Sequence, residues 1–386
     1  MKFSIIIPAV IIAIILNIMN GLDFFLNFSS IQQYENCQYL DVDIKGPEDM
    51  QQYNRTTIIV GSGNFQKLYA QNRIELEQQG IYAIINSDQQ DFKIMQLQMI
   101  GYPKDVALNI HGIYLKKQNN RDYLFLINHA YKYGGERIEI FQVSEQLDLT
   151  YQHSILMEQQ YNGILNDLIV IDKNRLLATM SMPLSDPIEG RSSMSFWNFA
   201  QTLFIFLAGL KQTYVIDCRF ETTEVLIHPQ CKKLQETSGN MLNGITWNRL
   251  NTIWVADSAQ KGFSEYLIKG ETLEFSRFLQ TTTRIDNVEF QEETNTIIFG
   301  QGLQFSGFFS LLSFMKTVDL QRDTQFEHWG SLSQFNLTSN SFEVLVQSKN
   351  LSKGISGGLA SGQNLFIGSW CDISVMVCQK KKEQYQ

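Results

Sequence analysis

Residues 242–258 read LNGITWNRLNTIWVADS: a polar residue, Asn243, opens a hydrophobic strand, a polar turn follows, and a second hydrophobic strand comes after the turn. Short apolar segments on either side of a polar turn are typical of antiparallel β-strands. The same pattern occurs six times in the chain. The copies begin at Glu48-Asp49, His111, Asn166-Asp167, Asn243, Asp286-Asn287 and Ser356-Gly357.

The recurrence of this pattern indicates a repeat architecture. Each interval between copies is long enough for the four strands of one propeller blade, with insertions in the wider intervals. The sequence shows no alternation of strands and helices, which is the pattern that would indicate a parallel sheet. The sequence therefore predicts an all-β, six-bladed β-propeller, with a propeller domain over residues 37–378 and a short polar, basic tail over 379–386.

The N-terminal segment is a candidate targeting signal and a predicted hydrophobic helix. Lys2 is followed by an uncharged apolar run, Phe3 to Met19. This is the pattern of a secretory signal peptide, and its length also suits a retained signal anchor. Residues 1–25 are one or the other, and both place the chain in the secretory pathway, on the extracellular or lumenal side. Sequons add glycosylation candidates at Asn27, Asn54, Asn336 and Asn350.

A second apolar segment lies in the widest interval between copies. Residues 196–210 read FWNFAQTLFIFLAGL, carry no charge and space their apolar residues as a helix does. Aromatic residues of this kind suit insertion at a lipid surface. Two interpretations stand: the helix lies on a membrane, or it packs as a lid over one face of the propeller.

Composition excludes several functional classes. Among 386 residues, 31 Lys and Arg face 39 Asp and Glu, which gives a formal net charge of -8. A moderately acidic chain lacks the clustered cations that a dedicated nucleic-acid binder needs. With 44% hydrophobic residues, the chain is also neither disordered nor collagen-like. The sequence indicates a folded protein with no nucleic-acid partner.

The five cysteines, at 37, 218, 231, 371 and 378, include no Cys-x-x-Cys pair. An oxidising compartment makes disulfides their natural use. A bridge between Cys37 and Cys378 would join the two ends of the propeller domain. Cys218 and Cys231 either form a second bridge or, like Cys371, are free thiols packed as small apolar groups.

In a propeller the innermost strand of every blade lines the central channel, so the residues that open these strands converge. The converging residues are Glu48, Asp49, Asn166, Asp167, Asn243, Asp286 and Asn287. Carboxylates and carboxamides are hard oxygen ligands, which select calcium over zinc. A Gly-x-Ser-x-Gly sequence at 354–358 also matches a serine-hydrolase elbow, but the strand and turn after it indicate a glycine-rich turn entering the last blade.

Several segments resemble one family. The segments NIHGIYL at 109–115, LFLINHA at 124–130, LNDLIVI at 165–171, LNGITW at 242–247 and DNVEF at 286–290 are similar, in order and spacing, to the paraoxonase/arylesterase family. The resemblance runs from Cys37 to Cys378. It implies a six-bladed propeller that holds two calcium ions, one catalytic and one structural, and hydrolyses lactones and aryl esters.

The resemblance also implies roles for individual residues. It assigns the catalytic calcium to Glu48, Asn166, Asn243, Asp286 and Asn287. It assigns the structural calcium to Asp49, Asp167 and the backbone carbonyl of Ile113. It implies a catalytic histidine pair, His111 and His129, and a disulfide between Cys37 and Cys378. Family members sit on lipid through an N-terminal hydrophobic segment and a second apolar helix, which residues 3–19 and 196–210 match in placement.

The implied reaction is attack of water on a lactone carbonyl that calcium polarises. His111, oriented by His129, is the candidate general base because a neutral imidazole accepts a proton near neutral pH, and Glu48 or Asp286 could serve instead. An alternative function is a non-catalytic, membrane-anchored chaperone or assembly factor of the secretory pathway, in which calcium only stabilises the propeller. Related sugar lactonases and strictosidine-synthase-like propellers fit less well, since they lack the end-to-end cysteines.

The chain departs from the family where the substrate pocket is built. Around Phe65 and across residues 301–309 it has residues of its own, and Gln301 stands where the family has an unpaired cysteine. Met241 and Leu242 replace an aromatic residue before Asn243. Metal chemistry therefore follows from the resemblance, whereas the choice of acyl group does not.

Overall fold

The computed structural model describes residues 26–65, 76, 78–118, 121–222, 224–302, 329–349 and 351–381. Over these residues the chain is an all-β, six-bladed β-propeller, as the repeats predict. The strands are β1 (Ile31–Gln32), β2 (Tyr34–Tyr39), β3 (Pro47–Asn54), β4 (Thr57–Ser62), β5 (Ile81–Ile85), β6 (Lys93–Gln96), β7 (Met99–Ile100), β8 (Ile110–Gln118), β9 (Arg121–His129), β10 (Glu136–Val143), β11 (Leu149–Leu156), β12 (Leu165–Asp172), β13 (Arg175–Met180), β14 (Thr213–Arg219), β15 (Leu226–Ile227), β16 (Gln230–Gly239), β17 (Leu242–Trp247), β18 (Thr252–Asp257), β19 (Gly262–Lys269), β20 (Thr272–Gln280), β21 (Val288–Gln291), β22 (Thr296–Gln301), β23 (Trp329–Asn336), β24 (Ser341–Lys349), β25 (Ile355–Ser361), β26 (Asn364–Ser369) and β27 (Met376–Lys380).

Each blade is an antiparallel sheet whose first strand lies innermost. Blade 1 is β3-β4-β5-β6, blade 2 is β8-β9-β10-β11, blade 3 is β12-β13-β14-β16 and blade 4 is β17-β18-β19-β20. Blade 5 is β21-β22-β23-β24 with β1 added at its edge, and blade 6 is β25-β26-β27 completed by β2. The short strands β7 and β15 pair with β11 in parallel. The six repeats in the sequence correspond to the first two strands of the six blades.

The two ends of the domain meet in blade 6. The N-terminal strand β2 pairs with the C-terminal strand β27, and a disulfide joins Cys37 to Cys378 across this pair. The predicted end-to-end bridge is therefore confirmed. A second disulfide joins Cys218 to Cys231, which face each other on β14 and β16, and Cys371 is a buried free thiol. The sequence had left the pairing of these three cysteines open.

The hydrophobic core lies between neighbouring blades. Every residue of β4, β13, β22 and β26 is buried, because a second strand is covered by blades on both faces. Outer strands such as β6 are mostly exposed. The core therefore holds the innermost strands rigidly around the channel, which is where the polar residues of the repeats lie.

One α-helix interrupts the strands within the described residues. Helix α1 (Phe196–Leu207) begins at Ser195, whose hydroxyl accepts a hydrogen bond from the amide of Asn198 at 3.2 Å. It ends before the predicted position because Gly209 adopts a left-handed conformation, so that the amide of Leu210 returns to the carbonyl of Ile205. Three single 3-10 turns lie at Tyr131–Tyr133, Gln159–Tyr161 and Arg191–Ser193.

Within the part of the chain that the structure describes, no helix has the length and apolar character needed to cross a bilayer. The predicted hydrophobic segment at residues 3–19 lies outside that part. Of the glycosylation candidates, Asn27 and Asn54 are exposed and Asn336 is half-buried, whereas Asn350 is outside the described residues.

Candidate functional site

Irregular pairing exposes the polar residues at the start of the innermost strands. The register with the second strand shifts between Pro47 and Asp49 in blade 1, and between Ile110 and Ile113 in blade 2. Equivalent shifts occur in blades 3, 4 and 6, between residues 165 and 168, 242 and 245, and 355 and 358. A bulge frees a residue from the ladder and redirects its side chain. These bulges hold Glu48, Asn166, Asp167 and Asn243 of the residues predicted to converge, whereas Asp286 and Asn287 directly precede strand β21.

Glycines allow the innermost strands to approach each other closely at the same positions. A Cβ on Gly112 would lie 2.5 Å from the Cα of Asp167, and one on Gly244 would lie 2.5 Å from the amide nitrogen of Val288. Side chains at these two positions would force the neighbouring blades apart. Both glycines directly follow a predicted site residue, His111 or Asn243.

Among the buried side-chain oxygens that lack a hydrogen-bond partner, four belong to residues that open the innermost strands. They are Oε2 of Glu48 and the Oδ1 atoms of Asn166, Asn243 and Asn287. The other polar atoms of these residues link the set: Asn287 Nδ2 donates to Glu48 Oε1 at 2.9 Å, and Asn166 Nδ2 lies 3.1 Å from His111 Nε2. Because a buried oxygen without a donor is costly, a group of them indicates a place for a cation.

Asp286 belongs to the same group through its hydrogen bond with the side chain of Asn243. Burial raises the pKa of Asp286 to about 7. The pKa of Glu48 is also well above its usual range, because the side chain is buried and because Asp286, Asp49 and Asp167 add negative charge. A cation among these side chains would remove that penalty. Five predicted ligands of the catalytic calcium are thus neighbours, three carboxamides and two carboxylates.

Asp49 and Asp167 have a different arrangement. Asp49 Oδ2 accepts from the amide of Ile113 at 2.7 Å, and Asp167 Oδ2 accepts from the amide of Ile245 at 2.8 Å. Their Oδ1 atoms accept from the amides of the residues that follow them, at 2.8 and 2.7 Å. Each carboxylate therefore joins its blade to the next one around the ring.

These two aspartates also have the electrostatics of a cation site. Burial raises the pKa of Asp49 to about 7, and burial together with the charge of Asp49 raises the pKa of Asp167. A carboxylate oxygen that accepts one hydrogen bond keeps a lone pair for a cation. The residues predicted to hold the structural calcium, including Ile113, are therefore brought together. In the described ranges, no group of three or more His, Cys, Asp and Glu side chains is arranged to hold a metal ion.

The predicted histidine pair is in contact. His111 Nδ1 lies 2.8 Å from His129 Nε2, and His111 Nε2 lies 3.7 Å from Glu48 Oε1. Burial is the main reason why the pKa of His111 is well below its ordinary value, and the nearby His129 and Arg191 lower it further. Its imidazole is consequently neutral and lies beside the oxygen ligands. The ring of Phe65 packs on that of His111, with centroids 4.5 Å apart.

A further residue, which was not predicted from the sequence, contacts the histidine pair. His129 Nδ1 lies 2.8 Å from Oε2 of Glu136, a buried carboxylate on β10. The repeat pattern does not mark Glu136, because this residue follows a Gly134-Gly135 turn outside the repeats. The one available signal is its position in a hairpin after His129, since Glu136 and His129 pair directly between β9 and β10.

Other features near the channel have structural explanations. Ser356, in the Gly-x-Ser-x-Gly sequence, lies on strand β25 and donates to the backbone carbonyl of Glu48, which agrees with the predicted entry to the last blade. Gln301 is buried, donates to Thr283 and accepts from Ser333 at 2.8 Å. Residues 303–309, where the sequence departs from the family, lie outside the described part of the chain.

An open cavity of about 730 Å³ lies at the opposite mouth of the channel from the oxygen ligands. Its walls come from the far ends of the innermost strands and include Tyr114, Arg249 and Glu289. Another cavity, of about 630 Å³, lies between the outer parts of blades 2 and 3. Neither is lined by the predicted calcium ligands or by His111 and His129.

No protein-family model matches the chain, and no curated protein matches its sequence. Solved structures are similar in fold. A provisionally assigned gluconolactonase aligns over 90% of this chain and 92% of its own, with 13% identity and a TM-score of 0.49. A luciferin-regenerating enzyme aligns over 91% and 95%, with 12% identity and a TM-score of 0.47. A provisionally assigned 6-phosphogluconolactonase from Bacteroides fragilis aligns over 84% and 77%, with 8% identity and a TM-score of 0.43. At these identities no residue-level chemistry carries over to this chain.

Proposed function

We propose that this protein is a calcium-dependent hydrolase of lactones and aryl esters, similar to the paraoxonase/arylesterase family. The observation that carries the proposal is the group of four buried, unpartnered oxygens on Glu48, Asn166, Asn243 and Asn287. Such oxygens match the preference of calcium for carboxylate and carboxamide ligands. In this proposal Asp286 completes the catalytic calcium site, and a second, structural calcium binds Asp49, Asp167 and the carbonyl of Ile113.

The proposed mechanism assigns a task to each neighbouring side chain. When bound, the catalytic calcium would polarise the substrate carbonyl and stabilise the oxyanion that follows. His111 accepts a proton from the attacking water at Nε2, the nitrogen beside Asn166 and Glu48. His129 holds the other nitrogen of that ring. Phe65 covers the ring and keeps bulk water from it. The lowered pKa of His111 keeps its ring unprotonated in the folded protein.

We also propose that the protein works on the extracellular or lumenal side of a membrane and contacts lipid. Two disulfides support an oxidising compartment. Helix α1 supports a lipid contact, because Phe196 and Trp197 at its start are 72% and 78% exposed and Phe204 is 64% exposed. Residues 3–19 would add a second anchor, and Asn27 and Asn54 would be available for glycosylation.

The test is hydrolysis of phenyl acetate and of a simple lactone by the purified full-length chain, with calcium and after EDTA treatment. We expect turnover in calcium, loss in EDTA and recovery when calcium is restored. Asn243→Ala and Asp286→Ala should each lower turnover by about 100-fold or more, since each removes a ligand of the group that stabilises the oxyanion. Turnover that survives EDTA and both substitutions would overturn the proposal.

A matched control is available in blade 6. Asn364 is buried, and its Oδ1 also lacks a partner while its Nδ2 donates to two backbone carbonyls. Asn364→Ala therefore repeats the loss of a buried carboxamide away from the channel, and we expect it to change stability and leave calcium-dependent turnover intact. Calcium-dependent thermal stability without any turnover would instead favour the non-catalytic chaperone or assembly factor.

A further inference from the structure

Glu136 occupies a specific place behind the histidine pair. Its carboxylate is buried in blade 2, and a single oxygen, Oε2, lies 2.8 Å from His129 Nδ1 and 3.0 Å from the amide nitrogen of Gly163. Gly163 is held in place by Arg191, whose Nη2 donates to the Gly163 carbonyl at 2.7 Å. Arg191 in turn pairs with the buried Asp186 at 3.1 Å. The carboxylate thus faces two donors that the surrounding structure keeps fixed.

These contacts determine which nitrogens carry protons. A carboxylate only accepts hydrogen bonds, so His129 carries a proton on Nδ1. In a neutral His129 ring, the Nε2 that faces His111 is then unprotonated. At 2.8 Å, that Nε2 accepts from the Nδ1–H of His111. In a neutral His111 ring with Nδ1 protonated, the remaining nitrogen, Nε2, is unprotonated and lies 3.1 Å from the donor Asn166 Nδ2. The backbone carbonyl of Leu165 also lies within hydrogen-bonding reach of the ring. The hydrogen-bond network thereby assigns one tautomer to each ring.

We propose that Glu136 is a positioning residue that fixes the tautomers of both histidines, so that the lone pair of His111 Nε2 faces Asn166 Nδ2, beside the oxygen ligands. The inference rests on the proposed hydrolase function for its catalytic meaning. In the reaction, a proton passes from water to His111 Nε2 as the water oxygen bonds to the carbonyl carbon. The proton then passes to the leaving oxygen as the carbon–oxygen bond of the ester breaks. Glu136 moves no proton itself, but its charge stabilises the positive charge that the pair holds between these two steps.

The first test is nitrogen NMR of the calcium-loaded protein labelled with ¹⁵N-histidine, because ¹⁵N shifts distinguish protonated from unprotonated ring nitrogens. The chain has only five histidines, so His111→Gln and His129→Gln assign the two rings. The wild type should show both rings protonated on Nδ1. Glu136→Ala removes the acceptor, and we expect His129 to change to a mixture of tautomers with a corresponding change at His111. Glu136→Gln keeps an oxygen toward the two donors and should retain the wild-type tautomers.

Glu139→Gln is the matched control. Glu139 is also a buried glutamate on β10, but it bonds Tyr102, Asn128 and Ser154 instead of a histidine. Its substitution should leave both tautomers unchanged. If Glu136→Ala retains the wild-type tautomers, or if Glu139→Gln alters them equally, the inference is wrong. If Glu136→Ala does not fold, Glu136→Gln is the test. This variant keeps an acceptor oxygen, so a change of tautomer in it would contradict the proposed role of Glu136.

Lactone hydrolysis supplies the second measurement. We expect kcat to fall roughly 10- to 100-fold in Glu136→Ala and less in Glu136→Gln, with KM nearly unchanged, because Glu136 acts through the base and does not touch substrate. Equal kcat in the wild type and in Glu136→Ala would contradict the catalytic part of the inference. A wild-type protein that binds calcium, shows the expected tautomers and hydrolyses nothing would overturn the hydrolase function and leave the positioning of the histidines established.

Discussion

Glu139, on β10, illustrates the cost of burying a carboxylate away from the channel. Its two oxygens accept from Tyr102, Asn128 and Ser154, and the side chain is fully buried. Burial still raises the pKa of Glu139 above its ordinary value, since these hydrogen bonds and the nearby Arg137 offset only part of the desolvation. Protonation of this carboxyl group is therefore more favourable in the folded protein than in the unfolded chain.

The resulting prediction concerns pH and the Glu139→Gln variant. The pKa of Glu139 is higher in the folded protein than in the unfolded chain. Its contribution to stability is therefore fully present below the pKa of the unfolded chain, and it is lost as pH rises through the pKa of the folded protein. Glutamine does not titrate, so the free energy of unfolding of Glu139→Gln should improve relative to wild type over that interval. The change should be about 1.4 kcal/mol for each unit by which the folded pKa exceeds the unfolded one. Urea unfolding of both proteins in calcium, from pH 4 to pH 8, measures it, and a difference that is flat or of opposite sign contradicts it.

At the residue scale, the sequence identified the side chains that recur with the repeat and missed those that do not. Asn166 and Asn243 could be predicted because each opens an innermost strand at an equivalent position. Glu136 could not, because its contact with His129 depends on the register between β9 and β10. The lowered pKa of His111 could not be predicted either, because it results mainly from burial by residues that are distant in the sequence.

Among the elements, helix α1 presents the largest aromatic side chains to solvent. Phe196, Trp197 and Phe204 are exposed, whereas Thr202 and Ile205 are buried on the opposite side of the helix. A protein surface that faces only water seldom exposes three aromatic side chains on one helix. This exposure supports the proposed lipid contact. The two sides of the helix differ enough for the contact to be tested by substitution.

We expect Trp197 to enter the lipid when phosphatidylcholine vesicles are added to the full-length protein. Its fluorescence should shift to shorter wavelength, and Trp197→Phe should lose that shift while still binding vesicles. Phe204→Glu should weaken vesicle binding by about 10-fold or more, since burial of a phenylalanine side chain contributes about 1.5–3 kcal/mol. Leu250→Glu is the control, because Leu250 is 79% exposed on a turn of blade 4, away from the helix. Equal vesicle binding by the Phe204→Glu variant and the wild type would show that the helix does not contact lipid.

The elements that the sequence revealed are those with a uniform environment. The first and second strands of each blade were found because burial makes them apolar, as in β4 and β13. The outer strands were not individually evident, since β6 is mostly exposed and β20 mixes exposed and buried positions. The helix was placed correctly at its start, and its end was overestimated because Gly209 was included although it terminates the helix.

On the scale of the whole molecule, the innermost strands form a ring with alternating chemistry. After the residue that opens each strand, blades 1, 3 and 5 carry Asp49, Asp167 and Asn287, whereas blades 2, 4 and 6 carry Gly112, Gly244 and Gly357. The aspartates accept from the amides of Ile113 and Ile245 on the next blade. Asn287 of blade 5 thus lies against Gly244 and Gly357 on its two neighbours, and Gly112 of blade 2 lies against Asp167 of blade 3. The sequence contains this alternation, but its meaning depends on the distances between blades.

The two glycines of blades 4 and 6 provide a matched pair of substitutions. A Cβ on Gly244 would lie 2.5 Å from the amide nitrogen of Val288 and 2.6 Å from the Cα of Asn287, both backbone atoms that can yield only if blade 5 moves. A Cβ on Gly357 would meet only the Cβ of Asn287, at 3.2 Å. Neither glycine has a positive φ, so an alanine adds no backbone strain at either position.

We therefore expect Gly244→Ala to destabilise the protein by about 1–3 kcal/mol in urea unfolding. Gly357→Ala should cost less, because the small displacement it requires is partly offset by about 0.4–1 kcal/mol gained from restricting the unfolded chain. The same movement of Asn287 should weaken calcium binding in Gly244→Ala, which calorimetric titration measures directly. If both variants lose stability and calcium affinity equally, the close approach of blades 4 and 5 at Gly244 does not position the ligands. If Gly244→Ala loses stability but binds calcium normally, the ring supports the fold alone and Asn287 is not a calcium ligand.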